Sequence, residues 1–231
     1  MRVHVLEHHP MEGIGTIADW IVIHGHEIER TRWYESPVPP DPSSFDLLIV
    51  MGGPMNIYEE DQYPWLSVEK EFLDRCIAAD KWILGICLGA QLLADRLGGP
   101  VGRNAWSEIG WWPVARTLEA ASDPIFSAFP LRLDVFHWHG DTFAIPPHAL
   151  HAAYSQGCAS QAFRRGRVVG LQFHLEFSEE AMRGLIEAED AFEGLYVQKP
   201  EAFLANAERF QKLRKANLAF LNHLASEIQR G

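Results

Sequence analysis

One cysteine stands inside a glycine-rich heptapeptide, GICLGAQ at positions 85–91. Glycine lies two residues before Cys87 and two residues after it, which is the spacing of a nucleophile elbow with cysteine in place of serine. Such a turn needs small neighbours, because its backbone is strained and the substrate must approach closely. A helix that begins at the turn also stabilises a thiolate, the attacking form of cysteine. A buried cysteine in a tight turn is the alternative.

A cysteine nucleophile needs a base, and the base needs a group that orients it. Among eleven histidines, His174 stands out because Glu176 follows it by two residues. In extended backbone, residues two apart point to the same side. The carboxylate can then hold one imidazole nitrogen while the other faces a thiol. Such pairs also occur by chance on sheet surfaces, so the prediction depends on the combination with Cys87.

Two further glycines, Gly52 and Gly53, follow the apolar run at 45–51. The carboxyl end of a central strand is where an α/β sheet places its ligand loops. Bare backbone at this point can present an N–H group to a substrate oxygen. A simple turn explains the pair equally well when it is taken alone.

The elements that must position these motifs alternate between strands and helices up to Gly98. The sequence predicts strands at 2–6, 27–34, 45–51 and 81–84, and helices at 13–25, 65–79 and 90–97. In the second of these helices, Leu66, Glu69 and Phe72 share one register. The alternation predicts a parallel sheet with helices on both faces.

Past Gly98 the pattern changes to short strand-like runs, which predict an antiparallel or mixed extension of the sheet. Ser178 is expected to cap a helix that ends near Ala191. A last helix over 201–228 has a broad apolar stripe. We expect this helix to pack on its own domain, with a partner surface as the alternative. Residues 1–231 are predicted to form one domain, since the sequence has no internal repeat or low-complexity linker.

Composition excludes several classes of function. A formal net charge of −11 argues against nucleic acid or an anionic membrane as partner. We find neither an N-terminal signal nor an apolar run long enough to span a bilayer. Three cysteines without a Cys-x-x-Cys pair indicate neither a disulfide framework nor a zinc site. We therefore predict a cytoplasmic protein, in which Cys76 lies in the core and Cys158 is structural.

Three histidines, His4, His8 and His9, lie near the end of the first strand. Their closeness in the sequence resembles that of a metal-binding cluster. No carboxylate lies at a matching distance in the sequence, so we interpret them as a solvated loop. No metal and no cofactor are predicted.

Taken together, the motifs resemble those of a class I, triad-type glutamine amidotransferase domain. The resemblance covers roughly residues 45 to 180. It is carried by the Gly-Gly-Pro turn at 52–54, the heptapeptide at 85–91 and the run FHLE at 173–176. The run HWHGD at 137–141 resembles a segment in the glutaminase domains of GMP synthetases. The family fold is flavodoxin-like and three-layered, with a mostly parallel central sheet and added antiparallel strands.

The resemblance implies a role for each residue of the motifs. Cys87 attacks the side-chain amide carbon of glutamine and forms a γ-glutamyl thioester. His174 moves protons, and Glu176 orients His174. The backbone N–H groups of Gly53 and Leu88 form the oxyanion hole.

The resemblance also implies a substrate site. Gln91 should line the glutamine pocket, and backbone around Gly140 and Asp141 should bind the α-amino and α-carboxylate end. Gly52 and His139 are placed at its rim. His139 lacks the x-Glu pairing, which argues against it as the base.

Three functional hypotheses follow. The first is a glutaminase that passes ammonia to a separate synthetase subunit, because the sequence contains no recognisable phosphate loop or ATP-pyrophosphatase segment. A hydrolase of γ-glutamyl peptides or amines would use the same thioester. The second hypothesis is a partner-regulated subunit that is silent alone. The third hypothesis is a protein with the same fold and an elbow cysteine that catalyses a different reaction. It ranks last, since such proteins lack a His-x-Glu pair at the end of the last strand. Leu175 stands where many family members have proline, which changes local rigidity.

Overall fold

The structure, a computed structural model, describes residues 1–188 and 193–230. One ten-stranded sheet runs through them. Its strands are β1 Arg2–Glu7, β2 Glu27–Arg32, β3 Leu47–Val50, β4 Trp82–Ile86, β5 Val101–Arg116, β6 Arg132–Phe143, β7 Leu150–Tyr154, β8 Ala162–Arg165, β9 Val168–Leu171 and β10 Tyr196–Val197. The helices are α1 Ile17–His24, α2 Trp65–Ala78, α3 Leu88–Arg96, α4 Glu179–Ala188, α5 Pro200–Phe203 and α6 Ala207–Arg230.

Five strands form the parallel half of the sheet, in the spatial order β2-β1-β3-β4-β9. This is the order of a doubly wound, flavodoxin-like sheet. On the far side of β9, the strands β8, β7 and β5 follow with antiparallel pairing, and β6 pairs antiparallel with β5. The predicted fold class, a mostly parallel sheet with added antiparallel strands, is confirmed.

Helices cover both faces of the parallel half. All four residues of β3 are fully buried. Leu47 and Ile49 point to the face covered by α1 and α6, whereas Leu48 and Val50 point to the face covered by α2 and α3. Because successive side chains of a strand point to opposite faces, a strand between two helix layers must be apolar throughout.

The first helix begins later than predicted. The sequence predicted it from Gly13, but α1 starts at Ile17. Gly15 has a φ of +47°, and a side chain there would collide with the carbonyl group of Glu176. The next residue, Thr16, donates its N–H to the same carbonyl at 2.8 Å. Residues before α1 therefore follow the backbone of Glu176 instead of continuing the helix.

The predicted last helix is also divided. Helix α5 ends at Phe203, and α6 begins at Ala207. Between them, the side chain of Asn206 accepts the N–H of Glu208 at 3.0 Å, which is the bond of an N-cap. The apolar stripe of α6 is buried against the chain's own sheet, as expected, through Phe210, Leu213, Phe220, Leu221 and Leu224.

Helix α4 is capped as predicted, since the Ser178 hydroxyl accepts the N–H of Ala181 at 3.2 Å. Its predicted end near Ala191 lies outside the described residues. Within the described ranges, no helix is both long enough and apolar enough to cross a membrane.

The contact between α3 and β3 gives a test of the packing. A Cβ on Gly89 would overlap the backbone of Val50, with its carbonyl carbon 2.7 Å away. Gly89→Ala should therefore lower the free energy of unfolding by about 1–3 kcal/mol despite the better helix propensity of alanine. Gly102→Ala is the matched control, because a Cβ there meets nothing within 4 Å. Urea unfolding of both variants checks this, and equal midpoints would refute the tight contact.

Candidate active site

Cys87 occupies the turn between β4 and α3. Its φ of +52° and ψ of −109° are unusual for a residue with a side chain. The Cys87 N–H donates to the Leu171 carbonyl at 2.8 Å, which ties the turn to β9. Close packing explains the flanking glycines, since a Cβ on Gly85 would lie 2.6 Å from the carbonyl carbon of Gly89. The predicted strand-to-helix turn is thus confirmed.

His174 and Glu176 follow the end of β9 and are buried together. His174 Nδ1 lies 2.6 Å from Glu176 Oε1. Burial alone would lower the pKa of His174, but the Glu176 carboxylate and the Cys87 sulfur raise it, and the net pKa lies well above its ordinary value. The arrangement places a cationic imidazole in contact with a carboxylate and next to a thiol.

The backbone and a neighbouring ring fix this pair. The N–H of His174 donates to Phe136 on β6 at 2.9 Å. The ring of Phe177 stacks on the imidazole with a centroid distance of 4.2 Å and an interplanar angle of 8°. The Leu175 N–H donates to Glu176 Oε2 at 3.0 Å. Proline has no N–H, so a proline at position 175 could not make this bond.

The turn at Gly52 and Gly53 brings these groups together. A Cβ on Gly52 would lie 3.3 Å from His174 Cε1 and 3.6 Å from Cys87 Cβ, and it would also meet the Glu12 carboxylate. Gly53 lines the same cavity as Cys87. The sulfur of Cys87 lies next to this turn and the imidazole.

His8 holds the turn from the opposite side. Its Nδ1 lies 3.0 Å from the Gly52 carbonyl oxygen, and its Nε2 lies 2.9 Å from Glu69 Oε1. Both side chains are fully buried. The interpretation of His8 as part of a solvated loop is therefore wrong, and so is that of His4, which is buried inside β1. The partner of His8 comes from α2, which is distant in the sequence, so local spacing could not identify the pair.

A cavity of about 470 Å³ opens in front of Cys87. The predicted residues Leu88, Gln91, His139, Gly140 and Asp141 line it, together with His174. Gln91 donates to the Asp141 carbonyl oxygen at 3.3 Å. Tyr58, which sequence reasoning missed, donates its hydroxyl to Asp141 Oδ2 at 2.7 Å.

Two more residues beside the predicted site emerge only from the structure. Gln172 Nε2 lies 3.7 Å from Cys87 Sγ. The side-chain oxygen of Gln172, Oε1, accepts a hydrogen bond from Gln91 Nε2 at 3.3 Å. Arg103 Nη1 lies 3.7 Å from Asp141 Oδ1. The cavity wall therefore places a guanidinium beside the Asp141 carboxylate, and Glu12 adds a second carboxylate to the lining.

His139 lies in the wall of the cavity, but both of its ring nitrogens are engaged. Nδ1 contacts the Asp141 carbonyl oxygen at 3.0 Å, and Nε2 contacts Glu108 at 3.1 Å. Its side chain is 1% exposed. This position fits a residue that holds the Asp141 backbone, and it offers no nitrogen to a thiol.

Glu108, His137 and His139 are the one group in the described ranges whose ligand atoms lie close enough to hold a metal ion. These atoms already contact protein groups. Ser155 and Gln161 donate to Glu108 at 2.6 Å, and His137 Nε2 contacts the Trp112 carbonyl oxygen at 3.2 Å. Burial lowers the pKa of His137 to about 3, so this imidazole is neutral. The cluster forms a buried polar network behind Asp141.

The geometry can be compared with that of known proteins. The family model for class I glutamine amidotransferases matches residues 16–191, more than half of the chain. The chain belongs to the class I glutamine amidotransferase family. It is 35% identical over 192 residues to YfeJ of Salmonella typhimurium, a glutamine amidotransferase-like protein, covering 81% of this chain and 80% of YfeJ.

Other relatives of this chain differ from it in length. The chain is 37% identical over 142 residues to the glutamine-hydrolysing GMP synthase of Thermomicrobium roseum. This match covers 60% of this chain and 25% of the synthase. The crystal structure of the glutamine amidotransferase TM1158 of Thermotoga maritima superposes with a TM-score of 0.86 at 31% identity, covering 97% of each chain.

The buried His8–Glu69 pair predicts how the stability of this protein depends on pH. Burial lowers the pKa of His8, but Glu69, and to a lesser extent Gly52 and Glu12, raise it, and the net pKa is raised. A raised folded-state pKa stabilises the protein fully below about pH 6.5, the ordinary value, and this contribution is lost as pH rises through the folded-state pKa. Glu69→Gln should therefore cost about 3 kcal/mol at pH 6 and less at pH 9.

Urea unfolding between pH 6 and pH 9 measures this difference. Glu71→Gln on the exposed face of the same helix is the control and should change stability by less than about 0.5 kcal/mol. A cost of Glu69→Gln that stays constant over this pH range would contradict a charged pair.

Proposed function

We propose that this chain hydrolyses the side-chain amide of glutamine through a γ-glutamyl thioester on Cys87, and that the ammonia passes to a separate acceptor. The observation that carries the proposal is the 2.6 Å contact of Glu176 with His174, an imidazole that lines the same cavity as Cys87. A nucleophile, a base and an orienting carboxylate in this order constitute a catalytic triad.

The proposed reaction has two halves. The Cys87 thiolate bonds to the amide carbon, and the C–N bond breaks as His174 gives its proton to the leaving ammonia. A water molecule then attacks the thioester while His174 takes a proton from it, and the C–S bond breaks to release glutamate. Glu176 keeps the imidazole oriented and stabilises its cation in both halves.

Negative charge develops on the carbonyl oxygen in each half-reaction. We assign its stabilisation to the backbone N–H groups of Leu88 and Gly53, as the family resemblance implies. Leu88 is the first residue of α3, so its N–H also belongs to the positive end of that helix. Losing one such donor costs about 3 kcal/mol of barrier in comparable sites.

The charged residues of the cavity support an amino-acid substrate. The Asp141 carboxylate would accept the α-ammonium group, and Arg103 would bind the α-carboxylate. Gln91 and Gly140 complete this end of the site, and Gly52 lies next to Cys87, beside Gly53 in the cavity wall. His139 contributes by holding the Asp141 backbone.

A second candidate keeps the triad and changes the leaving group. The cavity wall also includes His9, Met11 and Glu12, which the proposed glutamine site does not use. This extra wall gives room for a leaving group larger than ammonia. A γ-glutamyl peptide or amine would then be the substrate, and the chain would need no ammonia acceptor.

The acceptor in the first candidate would be a separate synthetase subunit, as the match to one quarter of a GMP synthase suggests. Cytoplasmic location is supported by three cysteines that are free and buried. The net charge of −11 supports a function without nucleic acid or membrane partners.

Removing the nucleophile tests the proposal. Cys87→Ala should lower kcat by about 10⁴-fold or more, and Glu176→Gln by about 10³- to 10⁴-fold. The assay measures free glutamate and the leaving amine from glutamine and from a panel of γ-glutamyl dipeptides. Cys158→Ala is the matched control and should retain wild-type kcat, since this thiol bonds to Thr142 and its pKa is raised by burial.

Each outcome decides between the candidates. Turnover of glutamine that depends on Cys87 supports the glutaminase, and preference for a dipeptide supports the hydrolase. An isolated chain that is inactive on the whole panel would favour a partner-regulated subunit. Turnover that persists in Cys87→Ala would refute the thioester.

A further inference from the structure

We infer that the buried His8–Glu69 pair fixes the orientation of the Gly52–Gly53 peptide and so keeps the oxyanion hole formed in the isolated chain. The inference rests on the proposed function, and it makes His8 and Glu69 positioning residues. It also predicts activity without a partner.

The Gly52 carbonyl and the Gly53 N–H belong to the same peptide unit. In a trans peptide these two groups point in opposite directions, and the described residues contain no cis peptide. His8 Nδ1 lies 3.0 Å from the Gly52 oxygen, so the carbonyl points toward His8. The N–H of Gly53 must therefore point away from His8.

The reacting groups adjoin the part of the turn that lines the cavity. A Cβ on Gly52 would lie within 3.6 Å of both Cys87 Cβ and His174 Cε1. Gly53, Cys87 and Leu88 line one cavity, whereas the His8 side chain is fully buried outside it. The Gly53 N–H then faces the carbonyl oxygen of an acyl group on Cys87.

A peptide between two glycines needs such an anchor. Without a Cβ on either side, glycine backbone reaches both orientations of the peptide at little steric cost. The flipped peptide would place the Gly52 oxygen where the substrate oxyanion forms, and the two negative oxygens would repel each other. The hydrogen bond from His8 to the Gly52 carbonyl oxygen is lost when the peptide flips, so this bond disfavours the flipped state.

The charge of the anchor follows from its partners. Nε2 of His8 lies 2.9 and 3.0 Å from the two oxygens of Glu69, and Nδ1 faces a carbonyl oxygen. Since all three partners accept hydrogen bonds when Glu69 is ionised, both nitrogens carry protons and the imidazole is a cation. The raised pKa of His8 agrees with this assignment.

Neighbouring contacts restrict rotation of the imidazole. The ring of Trp65 stacks on His8 with a centroid distance of 5.6 Å and an interplanar angle of 24°. Glu69 is one helical turn further along α2, so the same helix supplies the stacked ring and the carboxylate. The imidazole of His8 is therefore held by two residues of a regular helix.

Two substitutions of His8 test the inference. His8→Leu removes the donor, and we expect kcat to fall about 10²- to 10³-fold while KM changes less than about threefold. His8→Asn should recover at least about tenfold of that loss, because the amide nitrogen of asparagine can occupy the position of Nδ1. Glu69→Gln leaves His8 in place and should reduce kcat by about tenfold.

Alkylation of Cys87 by iodoacetamide separates positioning from general damage. This displacement at carbon forms no oxyanion, so wild type and His8→Leu should react at equal rates by peptide mass spectrometry. Circular dichroism and urea unfolding establish that each variant is folded. If His8→Leu loses alkylation rate and turnover to the same extent, and His8→Asn recovers neither, the inference is overturned and His8 has only a structural role.

Crystal structures of wild type and His8→Leu test the peptide directly and do not depend on turnover. The Gly52 carbonyl should point toward residue 8 in wild type and toward Cys87 in at least part of the variant molecules. An unchanged peptide with kcat within threefold of wild type refutes the inference and leaves the proposed function intact. Turnover that persists in Cys87→Ala, with a peptide that still depends on His8, refutes the proposed function alone.

Discussion

The reversal of the chain at Cys87 is the constraint on which the site depends. A φ of +52° at a residue with a side chain is stable only where the surroundings hold it. The surroundings here are the backbone of β9, through the bond from Cys87 to Leu171, and the close contact of Gly89 with Val50. These contacts place the sulfur at the carboxyl ends of three neighbouring parallel strands, β3, β4 and β9. The Gly52–Gly53 turn follows β3 and the His174–Glu176 pair follows β9, whereas His139, Gly140 and Asp141 lie on β6.

Buried histidine–carboxylate contacts connect the rest of the cavity wall to the fold. His8 and His139 use the same arrangement, in which one ring nitrogen meets a carboxylate and the other meets a backbone carbonyl oxygen. The carbonyl groups belong to Gly52 and Asp141, two of the segments that line or flank the cavity. The polar interior therefore positions the backbone at the cavity, in the Gly52 turn and in strand β6. A contact between an imidazole and a buried carboxylate is costly to disrupt, so it holds that backbone in one conformation.

The sequence predicted well what depends on local pattern. Apolar runs of four or five residues identified β3 and β4, and the glycine spacing around Cys87 identified the turn between β4 and α3. The pairing of His174 with Glu176 followed from the two-residue period of extended chain. Helix ends were less predictable, because α1 is delayed by a bond from Thr16 to Glu176, a residue far along the chain.

Contacts between distant segments could not be predicted from spacing. His8 was placed in a solvated loop because Glu69 lies sixty-one residues away. One signal was present, since Glu69 shares the register of Leu66 and Phe72 on the buried face of α2. A carboxylate in the apolar register of a helix needs a buried partner. Tyr58 and Gln172 gave no comparable signal, because their partners are set by the tertiary fold alone.

The central claim is a covalent γ-glutamyl intermediate on Cys87, and trapping that intermediate tests it most directly. With γ-glutamyl-p-nitroanilide, the good leaving group should make acylation fast, so that the thioester accumulates. Acid-quenched samples should contain chains heavier by one γ-glutamyl group on the peptide that includes Cys87. A burst of about one p-nitroaniline per chain should accompany them. Hydrolysis of the anilide with no adduct on Cys87, at a rate unchanged in Cys87→Ala, would contradict the account.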